Sequence, residues 1–302
     1  MKNEVEINIG GTLQQNDCFK GINQINNAFL LSKKDIFYYD IINIKSDSIF
    51  FPSNVLVILG YHLDNLQLKG KDIKNKLTSK VYNFLLRSGY LEYIDSNLGS
   101  GTRLLNSVIF PFSKISSQKD LKDYLDKYKG RIKNEESRNL ISSYISELHY
   151  NSIEHGGTQD IYIMGQLHPN LENTDITIYD AGSGMIKDDV SSVINDVYKN
   201  YSTEDFYDEI KNKYGLNVFL IILCVCTQFS SKGLNEGGLG LWELSSYLLK
   251  HNGKIQIVTD KIYIELQFLK ICDKIDKDSI IITVKELDNK IIGTFISFTY
   301  SI

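Results

Sequence analysis

The order of segments after residue 134 restricts the fold more than any bulk property of the chain. An amphipathic helix over 135–155 comes first, with Ile141, Tyr144, Ile145 and Leu148 as its apolar stripe. Glu147, Asn151 and His155 stand four apart along the edge of that stripe, so a carboxylate, an amide and an imidazole share one side of the helix. Gly156 and Gly157 then stop it. Two strands follow, IYIMGQL (161–167) and DITIYDAGSG (175–184), the second running straight into a D-x-G-x-G turn. Beyond a long segment from 185 to 236, EGGLGL (236–241) opens the helix LWELSSYLLKHNG. Four strand-like stretches, KIQIVT, IYIELQF, SIIITV and GTFISFTY, close the chain.

Upstream, helix-like and strand-like stretches alternate as in an α/β arrangement. IFYYDIINI (36–44) has the β-branched and aromatic content of a strand, and Pro52 starts a helix over SNVLVILGYHLDNLQLKG, with Gly70 as its stop. LTSKVYNFLLRSGYLEYI reads as a second helix, ending near Gly89. Residues 96–130 change character: a turn-rich stretch, an interruption at Pro111, then a charged helix. The expected division is an α/β regulatory domain over 1–125 and a second domain over 126–302, in keeping with a length of 302 residues.

The bulk composition excludes several classes. Thirty-three basic against 37 acidic side chains give a formal charge of −4 and no general nucleic-acid surface. The start, MKNEVEINIGG, carries charge where a signal peptide is apolar, and VFLIILCVC from Val218 is too short to span a bilayer and reads as a buried helix. Cys18, Cys224, Cys226 and Cys272 lack the C-x-x-C spacing of a zinc or redox pair, which predicts reduced packing residues in a cytoplasmic protein without membrane contact.

The glycine motifs carry chemistry. A strand ending in D-x-G-x-G sets Asp180 beside backbone that a flat ligand can approach closely, because Gly182 and Gly184 lack side chains. Glycines at a helix start leave N–H groups free for phosphate oxygens, aided by the helix dipole. Either motif alone is common as a plain turn or helix start.

Taken in order, an E-x-x-x-N helix, a strand with D-x-G-x-G, a long variable segment, G-G-L-G-L opening a helix and strands ending in G-T, residues 130–302 resemble the GHKL ATPase family. Its members include histidine kinases, gyrase-type topoisomerases, Hsp90 chaperones and anti-sigma-factor kinases. The resemblance implies a two-layer α/β sandwich of the Bergerat type, a mixed sheet with helices on one face, and a lid over about 185–236. It also implies ATP and Mg²⁺ as ligands. Asn151 would hold the metal through its side-chain oxygen, and Glu147 would activate a water or a substrate hydroxyl. Asp180 would accept from the adenine amino group, with Gly182 and Gly184 lining the base pocket and Thr294 reaching the base through Asp180 or a water. Gly238, Leu239 and Gly240 would cradle phosphates with Leu241 beside them, while Leu241 and Trp242 also read as core residues. Ser230 to Lys232 offer looser phosphate contacts. His155 reads as a favourable helix end rather than a ligand.

The stretch over 30–95 is similar in pattern to a STAS-type domain, the fold of anti-sigma-factor antagonists. Ser53 is the nearest candidate for the serine such domains phosphorylate, and a helix-capping role competes with it. The family kinship implies a serine protein kinase of the anti-sigma type or a regulatory ATPase. An ATP-gated binding module and a histidine kinase catalytic half are the alternatives, the latter with His62 as its only helical phosphoacceptor. A protein partner is expected through the N-terminal part or the lid, and a homodimer is open to the chain.

Overall fold

The computed structural model describes residues 4–9, 18–31, 41–46, 52–67, 72–77, 79–94, 104, 106–154, 157–168, 173–185, 205–226, 229–230, 233–234, 239–269 and 278–301. Its centre is a sheet of seven strands: β4 (Val108–Ile115), β5 (Ile161–His168), β6 (Asn173–Asp180), β9 (Lys254–Thr259), β10 (Ile262–Phe268), β11 (Ile280–Glu286) and β12 (Thr294–Ser301). They lie in the order β11-β10-β9-β12-β6-β5-β4. Every neighbouring pair is antiparallel. The chain is therefore mixed α/β, and among the described residues parallel pairing is confined to a separate three-stranded sheet of β1 (Glu4–Ile9), β2 (Ile41–Ser46) and β3 (Asp72–Leu77). The large sheet itself is not mixed, which corrects that expectation.

Helices cover both faces of the large sheet: those from Gln118 onward lie on one face, as expected of the second domain, and the other face is covered by helices of the first 94 residues. The cause is legible along β5, where Ile161 and Ile163 point to one cluster and Tyr162 and Met164 to another, all buried. A strand apolar on both sides must be covered on both. The first face packs under α5 (Gln118–Tyr128), α6 (Glu135–Glu154), α7 (Asp205–Tyr214), α8 (Leu216–Cys226) and α9 (Leu239–Lys250). The second packs under α1 (Cys18–Leu31), α2 (Ser53–Gln67) and α4 (Tyr90–Ile94). Helix α2 contacts β5 and β6 as well as β3. Val55, Leu56, Val57, Ile58 and Leu59 are consecutively buried in it, as a helix wedged between two sheets requires.

This arrangement bears on the division at 125/126. That point falls inside α5, and β4 before it is already part of the large sheet. The strand passes through Pro111 because β4 is outermost, where a missing N–H breaks no interior ladder bond, and its pairing with β5 shifts register on both sides of Phe110, the second shift spanning Pro111. The helix expected within 77–94 and ending near Gly89 is α3 (Ser79–Arg87); a turn in which Gly89 takes φ 82°, a left-handed conformation that glycine adopts without strain, separates it from α4.

Polar contacts fix α2 on the sheet. Asp64 accepts from Lys114 Nζ (2.9 Å), Tyr162 OH (2.7 Å) and Tyr93 OH (2.9 Å), and Lys114 also pairs with Asp160 at 3.0 Å. Burial opposes the Asp64 charge, yet those three donors hold its carboxyl below the usual range. At the start of α2, Ser53 donates to Asp175, which also pairs with His168; Ser53 and Thr177 hydroxyls meet at 2.8 Å, and Thr177 meets Ser297 at 2.9 Å. Ser53 is wholly buried. Its hydroxyl anchors the helix to β6 and is not presented as a modification site.

Candidate functional site

Strands β6, β12 and β9 end together, and their ends bring Asp180, Thr294 and Thr259 into register: Thr294 pairs with Asp180 on one side and Thr259 on the other. Asp180 Oδ1 accepts from Gly182 N–H at 3.0 Å, the local turn that an aspartate two residues before a glycine favours. Burial drives the Asp180 carboxyl up to about 6, against the pull of hydrogen bonds from Gly182 and from Thr294. A carboxyl in that range switches between accepting and donating near neutral pH.

Two glycines make this cluster possible. Gly293 has φ 85°, and a Cβ there would overlap the Asp180 carbonyl oxygen. Gly184 has φ 90°, and its Cβ would come within 2.9 Å of Thr259 Oγ1. Thr259 Oγ1 accepts from Met185 N–H at 3.2 Å and donates to the Gly293 carbonyl at 3.4 Å. It thereby ties the D-x-G-x-G turn to the start of β12. Gly293 and Thr259 were missed in the sequence; the only signals available were the glycine before Thr294 and a threonine ending KIQIVT.

A second cluster of the residues singled out by motif lies where α6 meets α9. Asn151 Nδ2 donates to Glu147 Oε1 at 3.5 Å, one helical turn apart. A Cβ on Gly240 would stand 2.6 Å from Glu147 Cγ, so the glycine lets the first turn of α9 close on the Glu147 side chain. Leu239 opens α9; Leu241 and Leu148 are half-buried against the first-face core, which fits the core reading of Leu241. Between Glu147 and Asn151, His149 is buried with Nε2 3.1 Å from the Gln159 carbonyl. Burial lowers its pKa against the raising effect of that bond, so the ring is neutral and structural.

The structure thus brings together Asp180, Gly182, Gly184 and Thr294 at the strand ends, and Glu147, Asn151 and Gly240 at the α6–α9 contact. Gly238, His155, Ser231 and Lys232 lie outside the described residues, as do 186–204 of the expected lid. Within the rest of that stretch, α8 is a core helix, with Ile222, Leu223 and Val225 completely buried. Ser230 sits in a two-residue hairpin, β7 (Phe229–Ser230) with β8 (Gly233–Leu234).

A metal at this site has few protein ligands to draw on. Among the described residues no group of three His, Cys, Asp or Glu is placed to hold an ion. One side-chain oxygen with waters and phosphate oxygens is a coordination that suits Mg²⁺, and Asn151 has such an oxygen beside Glu147. None of the helices among the described residues is long and apolar enough to cross a membrane. No protein-family model, curated protein or solved structure matches the chain.

Proposed function

We propose that the chain binds Mg-ATP in the manner of the GHKL family and acts as a signalling protein, with Glu147 directing phosphoryl transfer to a partner's serine hydroxyl or to water. The observation that carries this reading is the pairing of Asp180 with Thr294 across β6 and β12, beside the two glycines that clear its surroundings. Two motifs far apart in the chain, one carrying Asp180, Gly182 and Gly184 and the other Thr294, converge on one set of strand ends, where an adenine edge would be read. The contact of Gly240 with Glu147 adds support, since it sets the phosphate-type helix start against the helix bearing the expected base and metal ligand. A Bergerat-type arrangement of the large sheet and its first-face helices belongs to the same reading. The β-α-β-α-β run over residues 4–77 is what supports a STAS-like N-terminal part.

In this reading Asp180 accepts from the base, Thr294 orients Asp180, and Asn151 would hold Mg²⁺ among the phosphates. Bound Mg²⁺ supplies charge neutralisation on the phosphoryl oxygens. Glu147 holds the attacking hydroxyl or water and takes its proton; catalysis rests on positioning and electrostatics rather than on a covalent intermediate. A histidine kinase role gains nothing from His62, whose ring stacks on Phe29 with centroids 4.6 Å apart and planes 4° from parallel. An ATP-gated binding module is the second reading. What favours it is the N-terminal layer lying directly on the sheet that carries Asp180.

Calorimetry of the purified chain with ATP and Mg²⁺ tests the proposal. Binding is expected, with its Mg²⁺-dependent part weakened about tenfold in Asn151→Ala. A wild-type chain that binds no ATP sinks both the kinase and the ATPase readings. Phosphate release without any partner selects the ATPase, label from γ-³²P-ATP on a partner's serine selects the kinase, and binding without turnover selects the gated module.

A further inference from the structure

Helix α1 turns three asparagines, Asn23, Asn26 and Asn27, toward one turn of chain between β11 and β12. Their i, i+3, i+4 spacing puts them on one helical face. Asn23 Nδ2 and Asn27 Nδ2 donate to Asp288 Oδ2 at 2.9 and 2.7 Å, and Asp288 N–H donates back to Asn23 Oδ1 at 3.2 Å. Asn289 Nδ2 donates to Asn27 Oδ1 at 2.7 Å. Asn26, 2% exposed, donates to the carbonyls of Asn289 (3.1 Å) and Lys290 (3.4 Å). Six hydrogen bonds to three consecutive residues are more than is needed to seat a helix whose Ile22, Ile25 and Phe29 already pack in the second-face core.

The same turn runs on into the candidate nucleotide site. Ile291 N–H donates to the Asp260 carbonyl at 2.8 Å, and the Ile291 side chain is buried in the cluster that holds Ile22 and Ile25. The Ile292 carbonyl accepts from Tyr179 OH, the neighbour of Asp180. Gly293 presses on the Asp180 carbonyl, and Thr294 pairs with Asp180. From the asparagines to Asp180 there are thus four residues of chain, each fixed by a bond or by close packing.

We propose that Asn23, Asn26 and Asn27 of α1 are positioning residues for the adenine pocket, acting through the 288–293 turn that sets Thr294 against Asp180. The proposal rests on the nucleotide reading above. It gives the N-terminal layer a definite action on that site: a partner that lifts or shifts α1 loosens the turn and weakens ATP binding without touching the ligand.

The test uses the full chain, in wild-type form and as Asn26→Ala, the milder double variant Asn23→Ala/Asn27→Ala, and Ser117→Ala, which removes the α5 N-cap hydroxyl remote from the turn. Calorimetry well below each melting temperature should show ATP binding about tenfold weaker in Asn26→Ala and a few-fold weaker in the double variant, with Ser117→Ala unchanged. Hydrogen exchange without nucleotide should speed up over 180–185 and 291–296 in the first two variants and stay unchanged over β10. Unchanged exchange over 180–185 in both asparagine variants, or an equal change in Ser117→Ala, overturns the proposal. Should Asn26→Ala fail to fold, the double variant decides alone. A wild-type chain that binds no ATP overturns the nucleotide reading and the adenine half of this inference together, while the exchange measurement still upholds or overturns the coupling from α1 to Asp180.

Discussion

The two faces of the seven-stranded sheet are built on different principles. Under α5 to α9 the strands contribute almost only aliphatic and phenylalanine side chains: Ile163, Ile176, Ile178, Ile255, Ile257, Ile296 and Phe298. Under α1, α2 and α4 the same strands contribute Met164, Val258 and Phe295 but also Tyr162, Tyr179, Thr177, Ser297 and Asp175, met by Tyr61, Asp64 and Ser53 from α2. An apolar face gains from burial with little regard for register. A face of hydrogen-bonded polar groups tolerates one arrangement, because each donor left alone in a low-dielectric interior is penalised. The first face therefore supplies stability, and the second fixes where the N-terminal helices sit.

The largest break in this contrast should come from the apolar side. Phe298→Ala removes a completely buried ring that meets Tyr144 edge-on at 5.3 Å, and should lower unfolding free energy by about 3–5 kcal/mol at any pH, measured by urea titration. On the polar side Asp64→Ala should remove about 2–3 kcal/mol at pH 7, because it leaves two tyrosine hydroxyls without the carboxylate that now accepts from them and takes from Lys114 one of its two carboxylate partners. Its deficit should depend on pH. A carboxyl held below its unfolded value stabilises above about pH 4 and loses that contribution as pH falls through the folded value, so wild type and variant should converge in acid. A constant deficit across that range would deny Asp64 its ionic role.

The smallest effect, and of opposite sign, is expected at Asp180. Its carboxyl is raised to about 6, so the folded state prefers the neutral form; the contribution is complete below about pH 4 and lost as pH rises through about 6. Asp180→Asn should thus match wild type near pH 4, exceed it by about 2 kcal/mol at pH 8, and bind no ATP. Thermal melts at the two pH values check the first part, and an equal or lower stability at pH 8 would contradict the burial argument.

Much of this was readable in the residues. The strand-like stretches read at β5, β6, β9, β10, β11 and β12 are strands, and the closeness of Asp180 to Thr294 and of Glu147 to Gly240 followed from motif order. The second helical layer was not seen, although Val55 to Leu59 carried its signal: five apolar residues in succession cannot face a single surface from one helix. Strand β3 escaped because DIKNKL is mostly polar and has a weak strand pattern. Gly293 could not be found from spacing because its role lies in a close approach to the distant Asp180 backbone, and the asparagines of α1 because their partners lie more than 260 residues away in the chain.

The outer edge of β4 has a consequence for how the molecule meets others. Pro111 offers no donor there, Phe112 N–H is spent on the Ser88 carbonyl at 3.0 Å, and the Pro111 carbonyl is taken by Tyr124 OH at 2.7 Å. A foreign extended peptide approaching that margin would find its hydrogen-bonding groups already engaged.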